Sequence, residues 1–136
     1  MDRFEVMDHT ADLGLVAWGK DLKETFANMA YGMFSQIASL DNVEEKVSRR
    51  VQVDAPDREA LLVDWLNELL YLVDAQGLLL KRFDILELSD THLKAAVRGE
   101  KADPRKHELK LAIKAATYHM LKIEQNDLFR AQVIFD

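Results

Sequence analysis

The stretch between residues 61 and 74 constrains the fold more than any other part of the sequence, because it is apolar on almost every side of a helix. One face carries apolar residues at three- and four-residue spacing: Leu62, Trp65, Leu66, Leu69 and Val73. Leu61, Leu70 and Leu72 widen that face well beyond an ordinary amphipathic stripe. We therefore expect a helix buried nearly all round, between a sheet and a second helix.

Both helices carry recognisable end signals. For the apolar helix, Asp57 is placed to cap the start after Pro56, and Gly77 to end it, which predicts a helix over roughly 58–75. An earlier helix is predicted from Asp21 to about Ser39, with Glu24 completing a capping-box-like start. Its apolar residues recur at helical spacing: Leu22, Phe26, Met29, Ala30, Met33 and Ile37.

The remaining apolar residues mostly alternate with polar ones, as in half-buried strands. This pattern predicts strands at 4–7, 13–18, 47–54, 83–88, 93–98, 109–124 and 129–135. A change of phase at Ile85 and Leu86 indicates a bulge. The stretch 109–124 is long for one strand, so we expect it to bend near Thr117.

Two helices and about seven strands joined by short turns define the expected fold class. It is α+β: a single domain spanning residues 1–136, with a largely antiparallel sheet and both helices packed on one face. A chain of 136 residues is long enough for one continuous core, and its 49% hydrophobic content supplies the side chains for that core.

Composition excludes several classes of function. The chain has no cysteine, which rules out disulfides, thiolate zinc sites, iron–sulfur clusters and cysteine nucleophiles. Its 18 Lys and Arg against 24 Asp and Glu give a net charge of −6, so no stable binding of nucleic acid is expected. No apolar run spans a bilayer and no secretion signal precedes the first strand, which predicts a cytoplasmic protein without membrane contact.

Motifs for catalysis are missing as well. The sequence has no G-x-S-x-G, Walker, dinucleotide-binding or H-E-x-x-H pattern, so we expect no enzyme and assign no catalytic residue. The four histidines, His9, His92, His107 and His119, are spread over separate elements, which argues against a histidine metal site. His119 lies on the apolar phase of its predicted strand and is interpreted as a hydrogen-bonded core histidine. His9 could orient neighbouring groups in the first turn.

Carboxylates are the more suggestive groups. Asp8 and Asp12 flank a turn, Asp64 and Glu68 are four residues apart on the apolar helix, and Asp136 follows the last strand. Such residues are commonly turn formers or solvent-facing, but together they could hold a hard divalent cation. Lys114 lies between Ala112 and Ala116. It either belongs to a solvated sheet face or supplies a fixed positive charge at a contact surface.

Several blocks of sequence, in order along nearly the whole chain, resemble the archease family. They are His-Thr-Ala-Asp-Leu-Gly at 9–14, Ala-Trp-Gly at 17–19, residues 61–71, Gly-Glu at 99–100, Asp103 with His107, Lys-Ala-Ala-Thr-Tyr-His at 114–119 and Val-Ile-Phe-Asp at 133–136. Long blocks in a fixed order are far more specific than a single short motif.

The resemblance implies an activator of an RtcB-type RNA ligase, acting in tRNA splicing and RNA repair. Such a protein cofactor would promote guanylylation of the ligase and its multiple turnover, and the family binds calcium. Asp12 and Asp136 match the family's metal ligands, and Lys114 matches a residue needed for ligase activation. Relatives have one more apolar residue, also a ligand, after the position of Asp136. We expect the terminal carboxylate of Asp136 to replace that ligand, or the site to lack it.

Two other functions stay open at this point. One is a small metal-dependent hydrolase that uses Asp12 and Asp136, with His9 as the base. The other is a chaperone-like module that holds clients through an exposed apolar groove.

Overall fold

The computed structural model describes residues 3–8 and 11–136 and confirms the α+β class. Its elements, in chain order, are β1 (Phe4–Val6), β2 (Gly14–Gly19), α1 (Leu22–Ile37), a 3₁₀ turn (Leu40–Asn42), β3 (Val47–Asp54), α2 (Arg58–Gln76), β4 (Leu78–Leu88), β5 (His92–Lys101), β6 (Lys122–Gln125) and β7 (Phe129–Ile134). Neither helix is long and apolar enough to cross a membrane, within this described part of the chain.

The strands form two antiparallel sheets where the sequence predicted one. A four-stranded sheet has the order β1-β2-β7-β6, and a three-stranded sheet has the order β3-β5-β4. Helix α1 packs against strands of both sheets, chiefly β2 and β4. One helix therefore covers two separate sheets, and its buried side chains join them into one core.

The predicted cap of α1 is confirmed. The Asp21 side chain accepts a hydrogen bond from the Glu24 N–H (2.8 Å), and the Glu24 side chain accepts one from the Lys20 N–H (3.1 Å). This reciprocal arrangement satisfies two backbone donors that have no partner inside the helix.

Helix α2 is buried against the three-stranded sheet and α1, as its composition predicts. Asp57 caps its start by accepting from the Ala60 N–H, and Gly77 ends it with φ of 65°, a conformation that suits glycine. Trp65 is 0% exposed, donates its indole N–H to Phe26 O (3.1 Å) and meets the Phe83 ring edge-on. A narrow strip of α2 stays exposed, which the prediction of near-complete burial did not include.

The three-stranded sheet follows its sequence pattern in β3 and in the bulge of β4, but β4 begins at Leu78, five residues before the predicted strand 83–88. Strand β3 has the predicted bounds, and the bulge predicted at Ile85 and Leu86 is present as a register shift between Ile85 and Glu87. Strand β5 runs on to Lys101, past the predicted end. It continues because Gly99 lies against the Leu79 carbonyl oxygen, where a Cβ atom would collide with backbone.

The strand predicted over 109–124 is wrong over most of its length. Only β6 at its end is a regular strand, and the stretch before it makes single bridges, Ala38 to Leu109 and Ala116 to Phe135. The chain here passes from the end of α1 to the end of β7, so no neighbouring strand follows it throughout. Met120, with φ of 54°, then turns the backbone into β6.

The interpretation of His119 as a core histidine is also wrong. This residue is exposed. Its backbone N–H donates to the Thr117 hydroxyl (3.3 Å), just before the turn at Met120. The alternation that predicted a buried His119 requires a continuous strand, and the backbone turns at Met120 instead. Among the three histidines that the structure describes, His107 is the buried one.

Candidate functional site

The two residues predicted as metal ligands, Asp12 and Asp136, lie at the same end of the four-stranded sheet. The regular pairing of β2 with β7 ends at Gly14 opposite Ile134, and the Phe135 N–H then donates to Leu13 O (2.8 Å). Continuing this register by one residue puts Asp12 opposite Asp136. Both residues are exposed, so their carboxylates are accessible to a cation or to a partner.

Lys114 is held at the same place by the backbone. Its N–H donates to the main-chain oxygen of Asp136 (2.8 Å), and the Asp136 N–H donates to Ala115 O (2.9 Å). The side chain of Lys114 is exposed. The structure therefore brings together the three residues that the resemblance singled out: Asp12, Lys114 and Asp136.

A side chain of α2 contacts the segment that carries Lys114. The Ala116 N–H donates to Asn67 Oδ1 (2.7 Å), and Asn67 Nδ2 donates to Ala116 O (3.3 Å). On the far side of this segment, both the N–H and the hydroxyl of Thr117 donate to Ile134 O. The segment is thus fixed between α2 and the end of β7.

Tyr118 and the exposed strip of α2 border this site. Tyr118 is 60% exposed, and partial burial, with the negative charges of Asp64 and Asp57, raises the pKa of its phenol. The phenol therefore stays protonated and can donate a hydrogen bond. Asp64, Glu68 and Tyr71 line a shallow depression of about 440 Å³ together with residues of β3.

The other predicted groups do not join the Asp12 and Asp136 pair. Asp8 is exposed in the loop after β1, and Asp64 and Glu68 face solvent from α2. His9, the proposed base of a hydrolase, lies outside the described residues. Within residues 3–8 and 11–136, no group of three or more His, Asp or Glu side chains could hold a metal ion.

Asp12 and Asp136 fit a calcium ion in kind. Carboxylate oxygens are the hard donors that Ca²⁺ prefers, and the ion takes roughly six to eight of them. Two carboxylates on adjoining strand ends supply part of that shell. Backbone carbonyls, water or a partner would supply the rest.

A second polar cluster surrounds Glu100 at the end of β5 and includes His107, two residues that belong to the blocks shared with the archease family. The Glu44 N–H donates to Glu100 (2.6 Å), and Lys106 Nζ donates to both of its carboxylate oxygens. The backbone hydrogen bond first, and then Lys106, lower the pKa of Glu100 to about 2. The carboxylates of Glu100 and Glu44 raise the pKa of Lys106. The ammonium groups of Lys46 and Lys106 lower the pKa of Glu44.

His107 completes this cluster from the inside. The Asp103 N–H donates to His107 Nδ1 (2.8 Å), so the ring proton is on Nε2, which faces Glu100 at 3.3 Å. The side chain of His107 is fully buried. These contacts join the loop after β5 and the loop before β3 to Glu100.

Asn67 is the site contact that sequence reasoning missed. The signal was present, since an asparagine inside an apolar helix is a poor helix former and needs a reason to be there. Its partner was not predictable, because Ala116 is 49 residues away and belongs to a segment with no regular structure.

These features define a class: a small α+β domain of two sheets that presents two carboxylates and a lysine at one strand end. Residues 4–136 match the model of the Archease protein family (MTH1598/TM1083). The chain is 42% identical to the protein archease of Pyrococcus abyssi, over 92% of this chain and 90% of that protein. It is 38% identical to that of Methanosarcina acetivorans, over 98% and 95%. The chain belongs to the archease family.

Solved structures agree with the fold. The solution structure of protein 1598 of Methanobacterium thermoautotrophicum has a TM-score of 0.83 and 40% identity, covering 100% of this chain and 99% of that one. The crystal structure of an archease from Thermotoga maritima, described as a possible chaperone, has a TM-score of 0.64 and 22% identity, with 96% and 94% covered. The second likeness is one of fold alone.

Proposed function

We propose that this protein is a non-enzymatic activator of an RtcB-type RNA ligase in tRNA splicing and RNA repair. It would promote guanylylation of the ligase and its multiple turnover, with calcium as its cofactor. Membership of the archease family and the blocks of sequence shared with it support this function.

The observation that carries the proposal is the meeting of Asp12, Lys114 and Asp136 at one exposed strand end. In this proposal Asp12 and Asp136 hold the calcium ion, whose charge would offset that of phosphate groups near the ligase active site. Lys114 supplies a fixed positive charge to the ligase surface, next to the carboxylates. A net charge of −6 is compatible with a protein that binds an RNA ligase without binding RNA itself.

The experiment is a multiple-turnover ligation assay with an RtcB-type ligase, with and without this protein. We expect Asp12→Ala and Lys114→Ala to lower the stimulation at least about tenfold while the fold persists, because both side chains are exposed. Asp127→Ala and Lys122→Ala, also exposed, remove the same charges elsewhere and should stimulate fully. Calorimetric titration of calcium would show weakened binding for Asp12→Ala.

A different result would reject the proposal. Ligation that does not change when the unmodified protein is added would exclude the activator function. Full stimulation by Asp12→Ala would exclude the part that routes activation through a bound cation.

A chaperone-like module is the second candidate, and one feature favours it. Leu109 and Leu111 are 54% and 47% exposed and border an apolar groove of about 280 Å³ with Val73, Leu79 and Ala102. Exposed apolar surface of this kind can hold an unfolded client. Binding to many unfolded proteins would support this function, whereas binding to one ligase would support the activator.

A further inference from the structure

The backbone of Ala116 points its polar groups away from β7. Ala116 and Phe135 form an antiparallel bridge, and the bonds around it join their neighbours: Asp136 N–H to Ala115 O, and Thr117 N–H to Ile134 O. In such a non-hydrogen-bonded pair, the N–H and C=O of the residue itself face the opposite side. For Ala116 that side is occupied by α2.

Asn67 takes the place that the next strand of a sheet would occupy. Its carboxamide has one acceptor and one donor, and it uses them on the N–H and C=O of the same residue, at 2.7 and 3.3 Å. Ala116 is buried, so without Asn67 both backbone groups would be shielded from water and unpaired. A side chain of α2 thereby pairs the backbone groups that Ala116 turns away from β7.

The position of the backbone at Ala116 determines where Lys114 and Asp136 of the candidate site lie. Lys114 lies two residues before Ala116 in an extended segment, and its N–H holds Asp136. Within residues 3–8 and 11–136, the hydrogen bonds from α2 to this segment are the two made by Asn67. If they are lost, the segment is free to shift on α2, and Lys114 and Asp136 shift with it.

We propose that Asn67 is the positioning residue of the site: its paired hydrogen bonds to Ala116 set the placement of Lys114 and Asp136 relative to Asp12. In this proposal Asn67 acts through the Ala116 backbone and needs no contact of its own with the cation or the ligase. The consequence for ligase activation rests on the function proposed above, whereas the consequence for the backbone and for calcium binding does not need the ligase.

The test uses the isolated chain and three variants. Asn67→Ala removes both hydrogen bonds. Asn67→Asp keeps an acceptor for the Ala116 N–H but offers no donor to Ala116 O, and it serves if the alanine variant does not fold. Asn28→Ala is the matched control, because Asn28 on α1 donates to Trp18 O (2.7 Å) at the opposite end of β2.

The first measurement is amide hydrogen exchange. In Asn67→Ala we expect exchange at Lys114, Ala116 and Asp136 to be about tenfold faster, since buried hydrogen bonds of this kind are worth about that factor. Exchange at Val97, in the middle of β5, should stay unchanged. The aspartate variant should fall between, and Asn28→Ala should leave the three amides as they are.

The second measurement is calcium binding by calorimetry, in which Asn67→Ala should bind about tenfold more weakly and Asn28→Ala as tightly as the unmodified chain. Faster exchange confined to Ala116, with Lys114, Asp136 and calcium affinity unchanged, would overturn the proposal. So would full ligase stimulation by Asn67→Ala where Lys114→Ala abolishes it. If ligation does not change when the unmodified protein is added, only the proposed function is rejected. Hydrogen exchange and calcium binding would still decide the role of Asn67.

Discussion

The three-stranded sheet and the segment 102–121 have the same kind of sequence but different structures. Both alternate apolar and polar residues, the segment from Leu109 onward. In the sheet, β5 pairs with β3 over His92–Gly99 on one side and with β4 over Leu93–Lys101 on the other. In the segment, single bridges and individual hydrogen bonds lead to the end of α1, to the end of β7 and to a side chain of α2.

The difference teaches that alternation predicts a strand only where a neighbouring strand is available. The sheet keeps its geometry because its central strand β5 is paired on both sides over residues 93–99 and packs on the core. The segment depends on a few separate contacts, so it can bring residues of distant elements together. The first region is a regular sheet on the core, and the second contributes Lys114 to the candidate site.

The largest expected effect comes from removing a core side chain in the sheet. Leu93 on β5 is 0% exposed and lies opposite Val53 and Leu88. Leu93→Ala should lower the free energy of unfolding by about 3 kcal/mol, because it deletes buried methyl groups and leaves a cavity. Denaturant titration measures this value, and a loss below about 1 kcal/mol would contradict the description of this sheet as the rigid region.

An intermediate effect is expected at Glu100, where the sheet meets the segment. Its folded-state pKa of about 2 lies below the ordinary 4.5, so the carboxylate stabilises the fold above about pH 4.5. That contribution is lost as the pH falls from about 4.5 towards 2. Glu100→Gln should melt at a lower temperature at pH 7, and the two melting temperatures should converge near pH 2.

Melting curves at several pH values test this, with Glu124→Gln on exposed β6 as a control for the loss of one charge. A constant difference between Glu100→Gln and the unmodified chain from pH 7 to pH 2 would show that the Glu100 charge does not stabilise the loop.

The smallest effect is expected when a leucine of the segment 102–121, rather than of the sheet, is replaced by alanine. Leu111 is 47% exposed, so Leu111→Ala should change the free energy of unfolding by less than about 0.5 kcal/mol. Denaturant titration beside Leu93→Ala gives a matched comparison. A cost close to that of Leu93→Ala would mean that the segment packs as firmly as the sheet, and the contrast between the two regions would fail.

Local signals in the sequence were sufficient for the helix ends, for β3 and for the bulge in β4, but not for the start of β4 at Leu78. Asp21, Asp57 and Gly77 act at the helix ends as predicted, because capping depends on residues three or four positions apart. The bounds of β3 and the bulge in β4 follow from side-chain alternation in the same way. The division into two sheets did not follow, since it depends on which strands meet in space.

The candidate site was predictable only through resemblance to a family. Nothing in the spacing of Asp12, Lys114 and Asp136 shows that they meet, because the backbone hydrogen bonds that join them link residues far apart in the sequence. The bond from Asn67 to Ala116 and the burial of His107 were missed for the same reason. His119 was misplaced because a positive φ at Met120 cannot be read from a methionine.

The pairing of Asn67 with Ala116 also has a consequence in a crowded solution. An open strand edge offers its N–H and C=O groups to any extended chain that comes near, and this is a common start of self-association between molecules. At Ala116 both groups are already bound by a side chain of the same molecule. The N–H and C=O of Ala116 are therefore already paired within the molecule and are not offered to an extended segment of another copy.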